Sequence, residues 1–230
     1  GQVVWDDPGS MHSGEGASIM NEALYQKLQT LKRELLIESA YFVAADRGVQ
    51  AAHKLQERGV KVRILTNSLA SNDVGIVHSG YAKYRKALLR GGVELYEMNK
   101  KLTRSQRKEK KGVEDSSTAS LHAKSFVFDR RQVFIGSLNL DPRALLHNTE
   151  IGVVIDQPDI AEGMGTWFDQ SIEKVAFRLE LVKNDNGTES IRWHGITDET
   201  PTTFDVDPYT VFWRRLVIGI MRILPIESQL

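Results

Sequence analysis

The sequence predicts an α/β sandwich in which a mixed β-sheet is flanked by helices on both faces. Segments with the apolar alternation of strands take turns with segments of helical periodicity from residue 18 to residue 177. In such a fold the loops at the strand ends carry the catalytic groups. The chain has 230 residues, 41% apolar and 26% charged, which is typical of a globular protein with one large or two small domains.

The helices of the N-terminal half have clear start and stop signals. Ser18 is a good N-cap, and apolar residues follow it at helical spacing to about Glu34. Gly59 and the pair Gly91-Gly92 end the next two helices, because glycine favours the position just after a helix. The predicted strands of this half cover residues 3–5, 35–39, 60–66 and 93–98, and its helices cover residues 18–34, 46–59 and 77–91.

The C-terminal half begins with a long polar loop at residues 99–119. Apolar alternation then predicts two strands joined by a short turn at residues 129–132. The remaining predicted elements are a strand at residues 149–156, a helix at 158–177, a hairpin of residues 178–182 and 190–193, and a final helix at 209–224.

The strand before that turn carries His122 and Lys124, followed by Asp129 in the order H-x-K-x4-D. Since residues i and i+2 of a strand point to the same face, His122 and Lys124 are predicted to project side by side into one pocket. A second cluster, G-S-x-N, begins at Gly136 and contributes the hydroxyl of Ser137 and the amide of Asn139.

These residue types suit phosphoryl chemistry. The His122 imidazole is able to attack phosphorus or to protonate a leaving oxygen near neutral pH. The Lys124 ammonium offsets charge on the non-bridging oxygens, and Ser137 and Asn139 add neutral hydrogen-bond donors for the same phosphate. This scheme requires neither a metal ion nor a cofactor.

The complete string resembles the signature of the phospholipase D superfamily, and the resemblance implies a phospholipase D-like sandwich. The segments at residues 141–143 and 148–150 are also similar to that family's pattern. By this resemblance Glu150 hydrogen-bonds the catalytic imidazole, fixing its tautomer and stabilising the imidazolium. Asp129 completes the catalytic signature, and the role expected for it is structural, holding the turn after the strand.

The superfamily mechanism implied by the resemblance uses two H-x-K motifs that face each other, and this chain has one. One histidine forms a phosphohistidine and the other transfers protons, the latter being the role implied for His122. Two interpretations stay open. Either the second motif lies in an N-terminal half absent from this chain, which we prefer, or two identical chains each supply one motif across a two-fold axis.

The preference for a missing half has two grounds. The start of the chain resembles an internal sequence, without an initiator methionine or a signal peptide. Several stretches are similar to the C-terminal half of bacterial cardiolipin synthases: residues 3–8, 69–98, 213–215 and 224–228. The expected organisation is a linker at residues 1–17, a catalytic domain at 18–200 and a C-terminal amphipathic helix at 201–230 that is suited to a membrane interface.

Charge and composition narrow the function classes. Thirty basic residues balance thirty acidic ones, and the absence of cysteine excludes disulfides and thiolate zinc sites. No run of 18 apolar residues is present. A basic loop at residues 100–111 suits either a solvated surface or anionic lipid headgroups, and it lacks the interleaved aromatic residues that favour nucleic acid.

His78, at a predicted helix start, is a candidate pocket residue.

These expectations combine into one hypothesis with an alternative. The chain is expected to be half of a cardiolipin synthase-like phosphatidyltransferase, peripheral to the bacterial inner membrane and moving a phosphatidyl group between phospholipids through a phosphohistidine intermediate. The partners expected are phosphatidylglycerol-like lipids and an anionic membrane surface, and nucleic acid is not expected as a partner. The alternative is a homodimeric phosphodiesterase or nuclease of the same superfamily.

Overall fold

The structure is a computed structural model that describes residues 1–7, 18–72, 74–101 and 120–222. Most of the basic loop predicted at residues 100–111, and the last part of the predicted final helix, lie outside the described residues. The described strands are β1 (Gln2–Trp5), β2 (Glu34–Ser39), β3 (Lys61–Asn67), β4 (Glu94–Met98), β5 (Lys124–Phe128), β6 (Gln132–Gly136), β7 (Ile151–Asp156), β8 (Ala176–Lys183), β9 (Glu189–Thr197) and β10 (Thr200–Phe204).

These strands form one mixed sheet of ten strands in the order β1-β7-β6-β5-β2-β3-β4-β8-β9-β10. The pairs β2–β3 and β3–β4 are parallel, and all other pairs are antiparallel. Because β5 runs against β2, the start of β5 lies at the sheet edge where β2, β3 and β4 end. This edge, which we call the carboxyl edge, therefore receives the His122 segment.

The helices cover both faces of the sheet, as the sequence predicts. They are α1 (Ile19–Thr30), α2 (Ala45–Glu57), α3 (Gly75–Arg90), α4 (Pro142–Leu146), α5 (Pro158–Val175) and α6 (Phe212–Met221). One core cluster joins α1, α2 and α3 to one face through residues such as Met20, Leu55 and Tyr81. A second cluster packs α5 on the other face through Phe168 and Ile172. Apolar burial on both faces thus holds the sandwich together.

The first helix ends earlier than predicted. Ser18 caps it as expected, its Oγ accepting from the Asn21 amide at 3.0 Å. The helix stops at Thr30, however, and not near Glu34. The Asp129 carboxylate accepts from the backbone amides of residues 32–34, and those bonds pull this stretch out of the helix and into the approach to β2.

Both predicted domain boundaries need correction. The sequence predicts a linker at residues 1–17, but β1 pairs with β7 along its whole length and the following Asp6 is buried. The sequence also predicts a separate helix after residue 200, but β10 completes the sheet by pairing with β9 before α6 begins. Residues 2–6 and 200–204 therefore belong to the domain. Within the described part, no helix has the length and apolarity needed to cross a membrane.

Candidate active site

His122 and Lys124 lie at the carboxyl edge, where β5 begins. Lys124 is the first residue of β5 and pairs with Ser39 of β2, and the exposed His122 precedes it by two positions. The alternation of the strand puts His122, Lys124 and Phe126 on one face, and Phe126 packs in the core beneath α1 and α2. Lys124 Nζ donates to the backbone carbonyl of His122 at 3.2 Å, and the side-by-side projection of the imidazole and the ammonium stays a prediction.

The backbone before His122 is held by Asn67, a residue that the sequence analysis did not single out. Its side-chain amide donates to the carbonyls of Ala40 and Leu121, each at 3.0 Å, and its Oδ1 accepts from the Leu121 amide at 2.8 Å. One buried side chain at the end of β3 thus ties together the end of β2 and the entry to β5. Its position as the last residue of a buried strand is the only sequence signal for this role.

Glu150 lies beside Lys124 and precedes β7. Its carboxylate accepts hydrogen bonds from the Ser137 hydroxyl and from Asn148 Nδ2, the latter at 3.3 Å. Burial lowers the pKa of the Lys124 ammonium, the Glu150 charge opposes this change, and the pKa remains below its ordinary value. The predicted orientation of His122 by Glu150 stays a prediction, because the described hydrogen bonds of the carboxylate go to other groups.

Asp6 fixes the backbone of Glu150 and was also missed. The Asp6 amide donates to the Glu150 carbonyl at 2.9 Å, and Asp6 Oδ2 accepts from the Glu150 amide at 3.2 Å. Its other oxygen accepts from Ser18 Oγ and from the Met20 amide at the start of α1. The partners are 144, 12 and 14 residues away, so no local pattern in the sequence indicates the role.

The G-S-x-N cluster follows β6 at the same edge. A side chain on Gly136 would place its Cβ 2.5 Å from the Ile151 carbonyl and 2.8 Å from the Phe134 ring, so only glycine fits. Ser137 is engaged with Glu150 and with the backbone of Ile151. Its predicted contact with phosphate would therefore compete with these bonds.

Asn139 differs from Ser137 in having an unsatisfied polar atom. Its Oδ1 is buried without a hydrogen-bond partner among the described residues. The next residue, Leu140, pairs with Phe42 beyond the end of β2, which places Asn139 at the carboxyl edge. A buried amide oxygen without a partner is costly in a folded protein, and only a hydrogen-bond donor would satisfy it.

Asp129 lies at the opposite end of β5 from His122. The strand between them spans roughly 20 Å at about 3.3 Å per residue. Asp129 Oδ1 accepts from the amides of Arg33 at 2.7 Å and Glu34 at 3.0 Å, and Asp129 and Arg130 both have positive φ. Asp129 is therefore distant from His122, and its hydrogen bonds support the structural role and not the catalytic one.

His78 is fully buried on the first turn of α3, at 0% exposure. Its ring packs edge-on to Tyr81, and Nε2 lies 3.8 Å from Asp207 Oδ1. Both ring nitrogens are without a hydrogen bond among the described residues. Arg85 links the same Asp207 to the buried Glu97, so the structure puts His78 in a polar cluster inside the protein and not on a pocket wall.

A comparison with known families gives a match over residues 24–172 to the family described as "Cardiolipin synthase, PLD-like domain". Cardiolipin synthase C of Escherichia coli (strain K12) is 39% identical over 230 residues, which are 98% of this chain and 47% of that protein. Cardiolipin synthase A of Yersinia pestis is 26% identical over 197 residues, covering 86% of this chain and 35% of that protein. The chain thus spans about half the length, or less, of these curated relatives.

Solved structures share the fold. The phospholipase D family member Nuc from Salmonella typhimurium superposes with a TM-score of 0.51 at 20% identity, over 74% of this chain and 91% of that chain. Phosphatidylserine synthase from Haemophilus influenzae gives a TM-score of 0.51 at 19% identity, over 71% of this chain and 38% of that chain. The fold is that of phospholipase D-like proteins. The family match over residues 24–172 shows that the chain belongs to the cardiolipin synthase, phospholipase D-like family.

Proposed function

We propose that this chain is one half of a cardiolipin synthase-like phosphatidyltransferase that acts on phosphatidylglycerol-like lipids. The observation that carries the proposal is the pair His122 and Lys124 on one face at the carboxyl edge, in a chain that aligns over 98% of its length with a cardiolipin synthase. The motif supplies phosphoryl-transfer chemistry, and the similarity over almost the whole chain favours a lipid substrate over a nucleic acid.

Each residue has a specific role in this proposal. Lys124 holds the non-bridging oxygens of the phosphate, because its ammonium lies at the strand start on the same face as His122. Asn139 contributes its side-chain amide to the same phosphate. His122 transfers protons to the departing alcohol and from the incoming one, with the covalent phosphohistidine formed on the second motif.

The second H-x-K motif comes from an N-terminal half in this proposal. The chain covers 47% of the length of cardiolipin synthase C, which leaves room in that relative for a second domain of similar size. The alternative source is a second identical chain. In the same proposal, the enzyme acts at the inner membrane as a peripheral protein.

A transfer assay tests the proposal. Vesicles of labelled phosphatidylglycerol are incubated with the chain alone and with the chain joined to its native upstream sequence, and lipid products are separated. Formation of a diphosphatidyl product by the joined form alone is the expected result. Release of phosphatidic acid alone would identify a hydrolase. Cleavage of DNA by a dimer of the unjoined chain, without a lipid product, would replace the proposal with the nuclease alternative.

A further inference from the structure

Most of the apolar surface of helix α6 has no packing partner among the described residues. Ile218 is its buried residue, at 6% exposure, and contacts the start of α3 close to Gly75. At 100° per residue, the exposed apolar side chains cover an arc of about 140° on the other side of the helix. These side chains belong to Phe212, Trp213, Leu216, Val217 and Ile220, with Trp213 the most exposed at 70%.

The charges around this arc are of one sign. Arg214 and Arg215 flank it on either side, and no acidic residue occurs between Pro208 and Arg222. Arg214 Nη2 donates to the Asn72 carbonyl at 2.9 Å, and Arg215 Nη1 donates to the Thr210 carbonyl at 2.6 Å. Each of these bonds uses one of the five N–H donors of a guanidinium, so donors remain that suit phosphate groups.

The helix lies at the same sheet edge as the candidate active site. Arg214 binds the carbonyl of Asn72 in the segment after β3. Asn67, at the start of that segment, holds the backbone immediately before His122. Lys101, which follows β4 at this edge, lies with its Nζ 4.6 Å from the ring of Tyr209, just before α6. A surface that covers α6 therefore also approaches the carboxyl edge.

We infer that α6 lies in the headgroup layer of an anionic bilayer and holds the carboxyl edge against the membrane. An apolar arc with exposed aromatic side chains, flanked by arginines, fits the boundary between headgroups and acyl chains. The positive flanks match anionic lipid, whereas a neutral lipid surface would offer them no charge complement. The inference rests on the proposed function, because the site needs to face the bilayer only if its substrate is a lipid.

Vesicle flotation of the 230-residue chain tests the inference directly. The chain is expected to float with vesicles of phosphatidylglycerol and phosphatidylethanolamine, less at high salt, and weakly with phosphatidylcholine. Val217→Asp places a charge on the exposed apolar arc, where Val217 is 54% exposed, and is expected to weaken binding at least about tenfold. Ile160→Asp is the matched control, because Ile160 is exposed on α5 over the other face of the sheet.

A second measurement locates the contact. Lipids brominated in the acyl chains quench tryptophan only when the ring enters the bilayer. Quenching is expected in the parent chain and should disappear in Trp213→Phe. It should persist in Trp167→Phe, because Trp167 is exposed on α5, away from α6. Circular dichroism and a thermal melt establish that each variant is folded. Failure of the chain to bind anionic vesicles, or equal binding by Val217→Asp and the parent, would overturn the inference.

The same experiments distinguish a different partner on the apolar arc of α6 from a failure of the proposed function. A dimer that Val217→Asp dissociates, in the absence of vesicle binding, would assign the arc to a second copy of the chain and overturn the inference. Flotation requires no turnover. If flotation holds and lipid transfer fails, the proposed function falls alone. If transfer occurs on detergent-dispersed lipid and flotation fails, only the inference about α6 falls.

Discussion

At the level of single residues, the charge of Glu150 offsets part of the effect of burial on the pKa of Lys124. Burial already lowers the pKa of Lys124, and the neighbouring carboxylate raises it part of the way back. A neutral residue at position 150 removes the opposing effect, because the charged ammonium loses a favourable partner. The pKa of Lys124 should then fall further below its ordinary value.

Glu150→Gln should therefore move the alkaline limb of the pH–activity profile to lower pH, since Lys124 must be charged to hold the phosphate. The measurement is lipid transfer by the joined form across pH, with Glu173→Gln on α5 as a remote, exposed control. An unchanged alkaline limb would contradict this role. A shift of the acid limb would indicate instead that Glu150 acts on His122.

Asp129 should govern stability and not turnover. Its carboxylate accepts from three consecutive backbone amides at the approach to β2, and Asp129→Ala leaves these donors without their acceptor. The expected loss in free energy of unfolding is about 2 kcal/mol, measured by urea denaturation. Asp129→Asn should lose less, because asparagine tolerates positive φ and keeps one acceptor oxygen. Loss of transfer without loss of stability would instead make Asp129 catalytic.

At the level of elements, a buried polar cluster fastens α3 to the sheet and to the chain before α6. Glu97 of β4 is fully buried and accepts from Arg85 Nη1 at 3.0 Å and from Trp193 Nε1 of β9 at 2.9 Å. Arg85 also donates to Asp207 at 2.8 Å. Burial alone would raise the pKa of the Asp207 carboxyl, but Arg85 and His78 outweigh it and hold that pKa well below its ordinary value.

Removing one member of this cluster should cost a large share of the stability. Glu97→Ala leaves the buried Arg85 charge with one carboxylate partner and removes the acceptor of Trp193, and we expect a loss of about 3–5 kcal/mol in the free energy of unfolding. Glu57→Ala, at the exposed end of α2, should change it little. Equal denaturation midpoints for the two variants would show that the cluster does not fasten α3.

The elements that the sequence predicted well are those with local signals. The cap at Ser18 and the turn between β5 and β6 depend on residues within a few positions of each other, and both are present. The predicted end of α1 was wrong because the actual end is set by Asp129, which lies 95 to 97 residues along the chain from the amides it binds. The buried role of Asp6 depends on Glu150, 144 residues away, and is equally invisible to local patterns.

The same distinction applies to the candidate site. The signature predicts that His122 and Lys124 share one face, since alternation along an extended segment determines that relation. The supports of the site, Asn67 and Asp6, act through backbone contacts between distant segments, and nothing in their local sequence indicates those contacts. The position of His78 at a helix start predicts a pocket residue, but its side chain is buried in the polar cluster beside Asp207.

At the level of the whole molecule, the sheet order explains how distant segments meet. The strand β5 lies between β6 and β2, so His122, Asn139 and the end of β3 reach one edge although they are far apart in the chain. The mixed sheet was predicted, but its order was not, because pairing across the sheet leaves no trace in periodicity. With one H-x-K motif, this edge offers half of the catalytic groups in the proposed mechanism.

The most direct test of the central claim is the rate of phosphatidyl transfer by the joined form with His122→Ala, beside His147→Ala. His147 is an exposed histidine at the end of α4, close to the signature but outside the proposed chemistry. We expect His122→Ala to lower the rate by about 10²–10⁴-fold, which is the usual contribution of a general acid–base group. His147→Ala should keep nearly the full rate. A His122→Ala enzyme that transfers as fast as the His147→Ala control would contradict the assignment of His122.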